Sequence, residues 1–205
     1  MPAPPKHRQS IVDSAVTLFR RKGYSGTGLA DLIEHSGAPK GSLYHYFPAG
    51  KPAIGEAAVA FAGERVVDTL VYLDRQTSST AELLRGHAKL LGKWMKASCF
   101  TDGCPITTVL LEMAPEDKAI TEAGRLAYAA RQEVLASKLM RDGFSQGKSA
   151  SLAVLCSSAI QGSLIQSRVE RSTAPIISTA EELALLLEQT TPVPIPAQKN
   201  KNLQS

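Results

Sequence analysis

TGLADLIEHSGAPKGSLYHYF, residues 27–47, is the stretch from which the rest of the chain can be read. Thr27 is a good N-cap, and Leu29, Leu32 and Ile33 recur at helical spacing, so a short helix opens here. Ser36-Gly37-Ala38 makes a tight turn. Pro39 suits the first turn of a following helix, where its missing N–H costs nothing, and Pro48 stops that helix. Leu43, Tyr46 and Phe47 can pack the second helix inward, while Lys40, Ser42, Tyr44 and His45 crowd polar groups near its start. Two short helices at a tight turn, the second rich in hydrogen-bonding groups, is the layout of a helix-turn-helix that reads base edges in a major groove.

Working outward, Ile11, Ala15, Leu18 and Phe19 mark an amphipathic helix over about 7–22, which Gly23 ends. Residues 1–6 form a Pro-rich arm expected to be mobile. Downstream, helical patterns cover about 53–74, 81–98, 106–114, 117–143, 149–172 and 176–189. They are separated by Gln76–Thr80, by CFTDGCP at 99–105, by Ala114-Pro115, by Gly143–Gly147 and by Thr173-Ala174-Pro175. No stretch sustains a period of two, so the chain is expected to be all-α. The division is a three-helix head over 1–52, a helical body over 53–190 and a Pro-rich, polar tail over 191–205 expected to be disordered.

The charge is placed unevenly. Of a net +4 over 205 residues, all four charges sit in residues 1–51, where seven Lys and Arg face Asp13, Asp31 and Glu34. A basic head on a neutral body suits a head that meets phosphate. Cys99, Cys104 and Cys156 are an odd, low count without a secretory leader, which points to a reducing, cytoplasmic setting. Every apolar run is interrupted by charge, so no membrane span is expected. HExxH, GxSxG and a Walker glycine loop are all missing, and no close-spaced zinc ligands occur, so neither an enzyme nor a cofactor or metal site is expected.

Residues 8–54 resemble the TetR family of one-component bacterial regulators. The likeness rests on Phe19-Arg20-Arg21-Lys22-Gly23-Tyr24, the Thr27 cap, the Gly37 turn, and Lys40-Gly41-Ser42-Leu43-Tyr44-His45-Tyr46-Phe47 followed by Lys51. Gly103-Cys104-Pro105-Ile106 and Phe47-Pro48-Ala49-Gly50-Lys51 are similar to the LmrA/YxaF-type subgroup. The resemblance implies Thr27, Lys40, Gly41, Ser42, Tyr44, His45 and Lys51 as the DNA-contact set. Ala38-Pro39 stands where that family commonly has Val-Ser, and Gly28 where a second hydroxyl residue is frequent. Tyr46 and Phe47 read as core of the head, and His35 as solvent-facing.

For the body, the resemblance implies a ligand cavity and a homodimer on a two-fold operator. Leu152, Leu155, Cys156, Ala159, Ile160, Ser163 and Leu164, with Leu183, Leu186 and Leu187, recur near helical spacing and are the expected dimer surface of a four-helix bundle. Phe61, Trp94, Met95, Phe100, Met113 and Tyr128 read as cavity lining or as plain core, Glu112 as a carboxylate facing the ligand or one on the surface near a helix end, and Gln161 and Gln166 as polar contacts or partner-facing groups. Cys99 and Cys104 read either as inert thiols or as a thiol switch. The expected function is a ligand-responsive DNA-binding transcriptional regulator, a repressor that a small lipophilic or aromatic effector releases from a pseudo-palindromic operator. A redox-sensing regulator on the same scaffold, and a helical ligand carrier or enzyme with an incidental basic head, are the alternatives.

Overall fold

The computed structural model describes residues 6–190, which form nine α-helices and no strand. The expected mobile arm and disordered tail lie largely outside the described residues. The helices are α1 (Lys6–Lys22), α2 (Leu29–Ser36), α3 (Lys40–Tyr46), α4 (Lys51–Asp74), α5 (Thr80–Ala97), α6 (Pro105–Met113), α7 (Lys118–Arg141), α8 (Gln146–Glu170) and α9 (Ala174–Gln189). Their ends follow local chemistry. Gly37 closes α2 with φ of 63°, a left-handed conformation in which any Cβ would be strained, and its N–H reaches back to Ile33 and Glu34 carbonyls. Ser79 caps α5 by accepting from Glu82 N, and the Glu82 carboxylate caps back onto Ser78. Asp117 caps α7 through Ile120 N.

Two hydrophobic cores result, and α4 runs through both. The first joins α1, α2 and α3 to the start of α4, to α6 and to α7: Phe19, Leu32, Leu43, Ile54, Val109 and Ile120 are all fully buried in it. The second gathers Leu70 and Leu73 from the end of α4 with Leu83 and Met95 of α5, Leu139 of α7, Leu152, Cys156 and Ile160 of α8, and Ile176 and Leu183 of α9. Each fully buried large side chain contributes about 1.5–3 kcal/mol. The head therefore has no core of its own: Ile54, Ala58, Val59 and Ala62, beyond residue 52, sit in the same cluster as Ile11 and Leu43.

Small residues set how closely α4 packs. A Cβ at Gly63 would stand 2.6 Å from the Ala127 Cβ of α7, so only glycine allows this approach. At the far end of α4, Asp74 pairs with Lys138 and Arg141. Lys138 is 4% exposed and satisfied, because its Nζ donates to Asp74 and to the Thr77 carbonyl. Arg85 clasps α9 by forked bonds to Glu181 and Glu188.

The structure divides the expected dimer row. Leu152, Cys156, Ile160, Ser163, Leu164, Leu183 and Leu187 are buried within the protomer. They belong to its core because α8 lies against α7 and α9 along that side. Leu155 and Leu186 are exposed and Ala159 is half-buried. The exposed apolar residues of α8 are Val154, Leu155, Ile165 and Val169, and those of α9 are Ile177, Leu185 and Leu186.

Candidate nucleic-acid interface and ligand cavity

Helix α3 is pinned from behind. Leu43 is fully buried and Phe47 nearly so, while Tyr46 is partly buried against the same core. That anchoring turns Lys40, Gly41, Tyr44 and His45 to solvent, with Ser42 half-exposed beside them. A Cβ at Gly41 would meet nothing within 4 Å, so the protein's own packing does not require glycine there. The His45 ring meets Tyr46 edge-on at 4.8 Å between centroids. His35 is exposed, with Nδ1 2.9 Å from the Ser14 hydroxyl.

Two of the expected DNA contacts are placed differently. Thr27 is fully buried, and its hydroxyl donates to the Gly23 carbonyl. It is not the cap of α2; Gly28 holds that position, with its N–H bonded to Asp31 Oδ2 at 2.7 Å. Lys51 begins α4 half-buried, its Nζ 4.3 Å from the Tyr24 ring centroid. Desolvation lowers its pKa, against the opposing pull of Glu112 and Asp31.

Glu112 has a task other than the one expected. Its Oε1 accepts from Tyr24 N at 2.8 Å and its Oε2 from Ser25 N at 2.7 Å. The carboxylate thus ties α6 to the turn between α1 and α2. Desolvation raises its pKa, but the bonds from Ser25 and Tyr24 and the Lys51 charge prevail and hold it below the usual value. A second tie runs from the loop before α6. Asp102, 1% exposed, lies 2.9 Å from Arg20 Nε and accepts from Arg21 Nε at 3.1 Å, while Gly103 N bonds the Arg20 carbonyl. The Arg20 N–H points off the line to Asp102, so that contact is ionic rather than a directed hydrogen bond.

A cavity of about 380 Å³ opens between α1, α4, α5, α7, α8 and the start of α6. Val66, Leu91, Ile160 and Leu164 supply apolar wall and Trp94 an aromatic one, while Arg20, Arg65, Thr69, His87, Arg131 and Gln161 are the polar groups. Of the lining foreseen from sequence, Trp94 reaches this cavity. Met95 is buried beside a smaller pocket of about 180 Å³ that also touches Asp102 and Gln161. Phe61 and Met113 pack on the first core, shared by head and body, and Phe100 packs on the second. Tyr128 lines an outer groove, its ring 5.0 Å from the Arg131 guanidinium carbon. Cys104 is half-buried on the cavity wall and Cys99 is exposed.

Sequence reading missed His87 and Arg131. Burial and the nearby Arg131 charge push the His87 pKa down to about 4, so the ring is neutral. Arg131 is 8% exposed, its Nε–H has no hydrogen-bond partner, and among the described residues no Asp or Glu pairs with it. A signal was present: buried Ile120, Ala123, Gly124, Leu135 and Lys138 trace the inner face of α7, and Arg131 falls on it.

Known proteins share this arrangement. Residues 11–58 match the model for bacterial regulatory proteins of the tetR family, and residues 80–182 match the C-terminal domain of LmrA/YxaF-like transcriptional regulators. The chain is 32% identical over 185 residues to the uncharacterized HTH-type transcriptional regulator Rv0196 of Mycobacterium tuberculosis, covering 88% of this chain and 93% of that one. It is 28% identical over 182 residues to the HTH-type transcriptional regulator LmrA of Bacillus subtilis, covering 89% and 97%. A cysteine mutant of the TetR family regulator CifR, solved on 26-bp operator DNA, superposes with a TM-score of 0.68 at 20% identity over 87% of this chain and 95% of its own.

Proposed function

Because the chain belongs to the TetR family of bacterial transcriptional regulators, with an LmrA/YxaF-like body, we propose that it is a homodimeric repressor released from a pseudo-palindromic operator by a small molecule. The observation that carries this reading is the polar face of α3, held outward by buried Leu43 and Phe47 while α4 runs from the end of that head to the wall of a cavity. Residues 1–52 act as the DNA-reading module and 53–190 as the sensing and pairing body.

Lys40, Ser42, Tyr44 and His45 meet the major groove, with Gly41 letting the backbone approach. Two such helices in successive major grooves lie roughly 34–36 Å apart. Subunits pair through the exposed row on α8, Val154, Leu155, Ile165 and Val169, with Leu185 and Leu186 of α9. Exposed apolar residues in such a row are the usual mark of an interface. A ligand in the cavity shifts α4 and, through Asp102 and Glu112, the heads. This works only where the ligand prefers the DNA-incompetent shape.

The test is binding of purified protein to its own upstream DNA. Sequence-selective, salt-dependent binding with one dimer per two-fold site supports the reading. Binding that ignores sequence, or a complex built on a single subunit, removes it.

A further inference from the structure

We propose that the cavity takes a planar aromatic carboxylate, with Arg131 as its counter-ion. This rests on reading the cavity as the effector site. A guanidinium cannot shed its proton at ordinary pH, so its charge must be balanced or solvated. Arg131 is 8% exposed, lines the cavity, and has an Nε–H without a partner. The other buried cation of α7, Lys138, meets Asp74 and the Thr77 carbonyl. No Asp or Glu lines the cavity. Arg20, on the same wall, is already committed to Asp102. Arg65, also on the wall, is exposed, with its guanidinium 5.9 Å from the Phe61 ring centroid. One buried, unmatched positive charge therefore faces the chamber.

The remaining lining states the rest of the ligand. Trp94, Leu91, Ile160 and Leu164 offer aromatic and aliphatic surface, and a volume of about 380 Å³ holds a body of two fused rings. Gln161 adds a buried, unpartnered Nε2 donor, since its Oε1 is taken by the Thr107 hydroxyl. A guanidinium and an amide N–H facing one chamber match the acceptors of a carboxylate, and the apolar wall excludes a strongly hydrated phosphate.

The probes are 2-naphthoate and its neutral isostere 2-naphthamide, titrated into the full chain by calorimetry and by fluorescence of Trp94, the sole tryptophan. Naphthoate is expected to bind roughly tenfold or more tightly than the amide, because hydrogen bonds to a buried charged partner are the strong ones. Arg131→Met should erase that preference with the fold and thermal stability retained, since it removes an unmatched buried charge. Equal or better binding of the amide, no binding of naphthoate, or a preference that survives Arg131→Met overturns the proposal. Operator release is scored separately. Naphthoate that binds through Arg131 without affecting DNA upholds the carboxylate site and defeats the repressor reading. DNA release by neutral compounds alone does the reverse.

Discussion

Arg20 Nε stands 2.9 Å from Asp102 Oδ2, and the pair joins the last turn of α1 to the loop beside the cavity. The same guanidinium lies 5.5 Å from the Trp94 ring centroid and belongs to the cavity wall. One side chain thus touches the head, the loop and the chamber together.

Asp102→Asn should weaken the coupling more than the binding. The carboxylate is buried and serves two guanidiniums that are themselves partly exposed, so its loss costs about 2 kcal/mol in urea unfolding, below the range for a fully buried pair. Operator affinity should fall little, while the ratio of affinities with and without effector shrinks. An unchanged ratio would show that the pair only holds the loop.

Gly41→Ala separates folding from DNA reading. With open space around the Cβ, the change should raise stability by about 0.5–1 kcal/mol through helix propensity. DNA affinity should drop, because the added methyl stands where backbone meets the groove. Lys40→Ala should lower affinity for all sequences and reduce the salt slope by about 1. Thr27→Val should leave that slope unchanged and cost about 1 kcal/mol of stability, since its hydroxyl bonds the Gly23 carbonyl. Equilibrium binding at several salt concentrations, beside thermal melts, checks all three.

Stability should fall in mild acid through His87. Its folded pKa of about 4 lies below the usual 6.5, because burial and Arg131 disfavour the charged ring. The unfolded chain therefore takes up the proton first. Stability is unaffected above pH 6.5, declines by up to about 1.4 kcal/mol per pH unit from 6.5 to 4, and levels below that. His87→Leu should flatten that segment of the denaturation profile relative to the parent. A slope that persists in the variant assigns it elsewhere.

Leu155→Glu with Val169→Glu should give a folded monomer in sedimentation analysis. Leu152→Ala, in the core, should lose about 2–4 kcal/mol without changing subunit stoichiometry at concentrations where it is folded. Reversed outcomes would return the interface to the Leu152 side of α8.

That row, buried at Leu152, Cys156 and Ile160 and open at Leu155 and Leu186, shows what the chain spells out and what it withholds. The head was legible because its determinants are neighbours: Gly37, Leu43, Phe47 and Pro48 fix a turn and two helices within a dozen residues. Helix ends were legible where glycine and proline act locally, as at Gly23, Gly37 and Pro48, whereas the cap read at Thr27 falls on Gly28. Helix α8 is apolar on two sides, with Leu152, Cys156 and Ile160 on one and Leu155, Ile165 and Val169 on the other. Periodicity finds both rows and cannot rank them; only the positions of α7 and α9 decide which is covered. The cavity was hidden for the same reason, since its wall comes from six helices far apart in the chain. Glu112 read as a ligand-facing carboxylate because its partners, main-chain amides 87 and 88 residues earlier, lie beyond any local pattern.

Those amides carry a consequence for how such regulators diversify. The directed bonds of Glu112 at positions 24 and 25 come from main-chain N–H groups. Those two bonds can be made by any residue there except proline. New recognition surfaces can then be acquired by exchange or drift in the head while an inherited sensory half goes on engaging it, so that which promoter is read and which chemical is sensed evolve as separate traits.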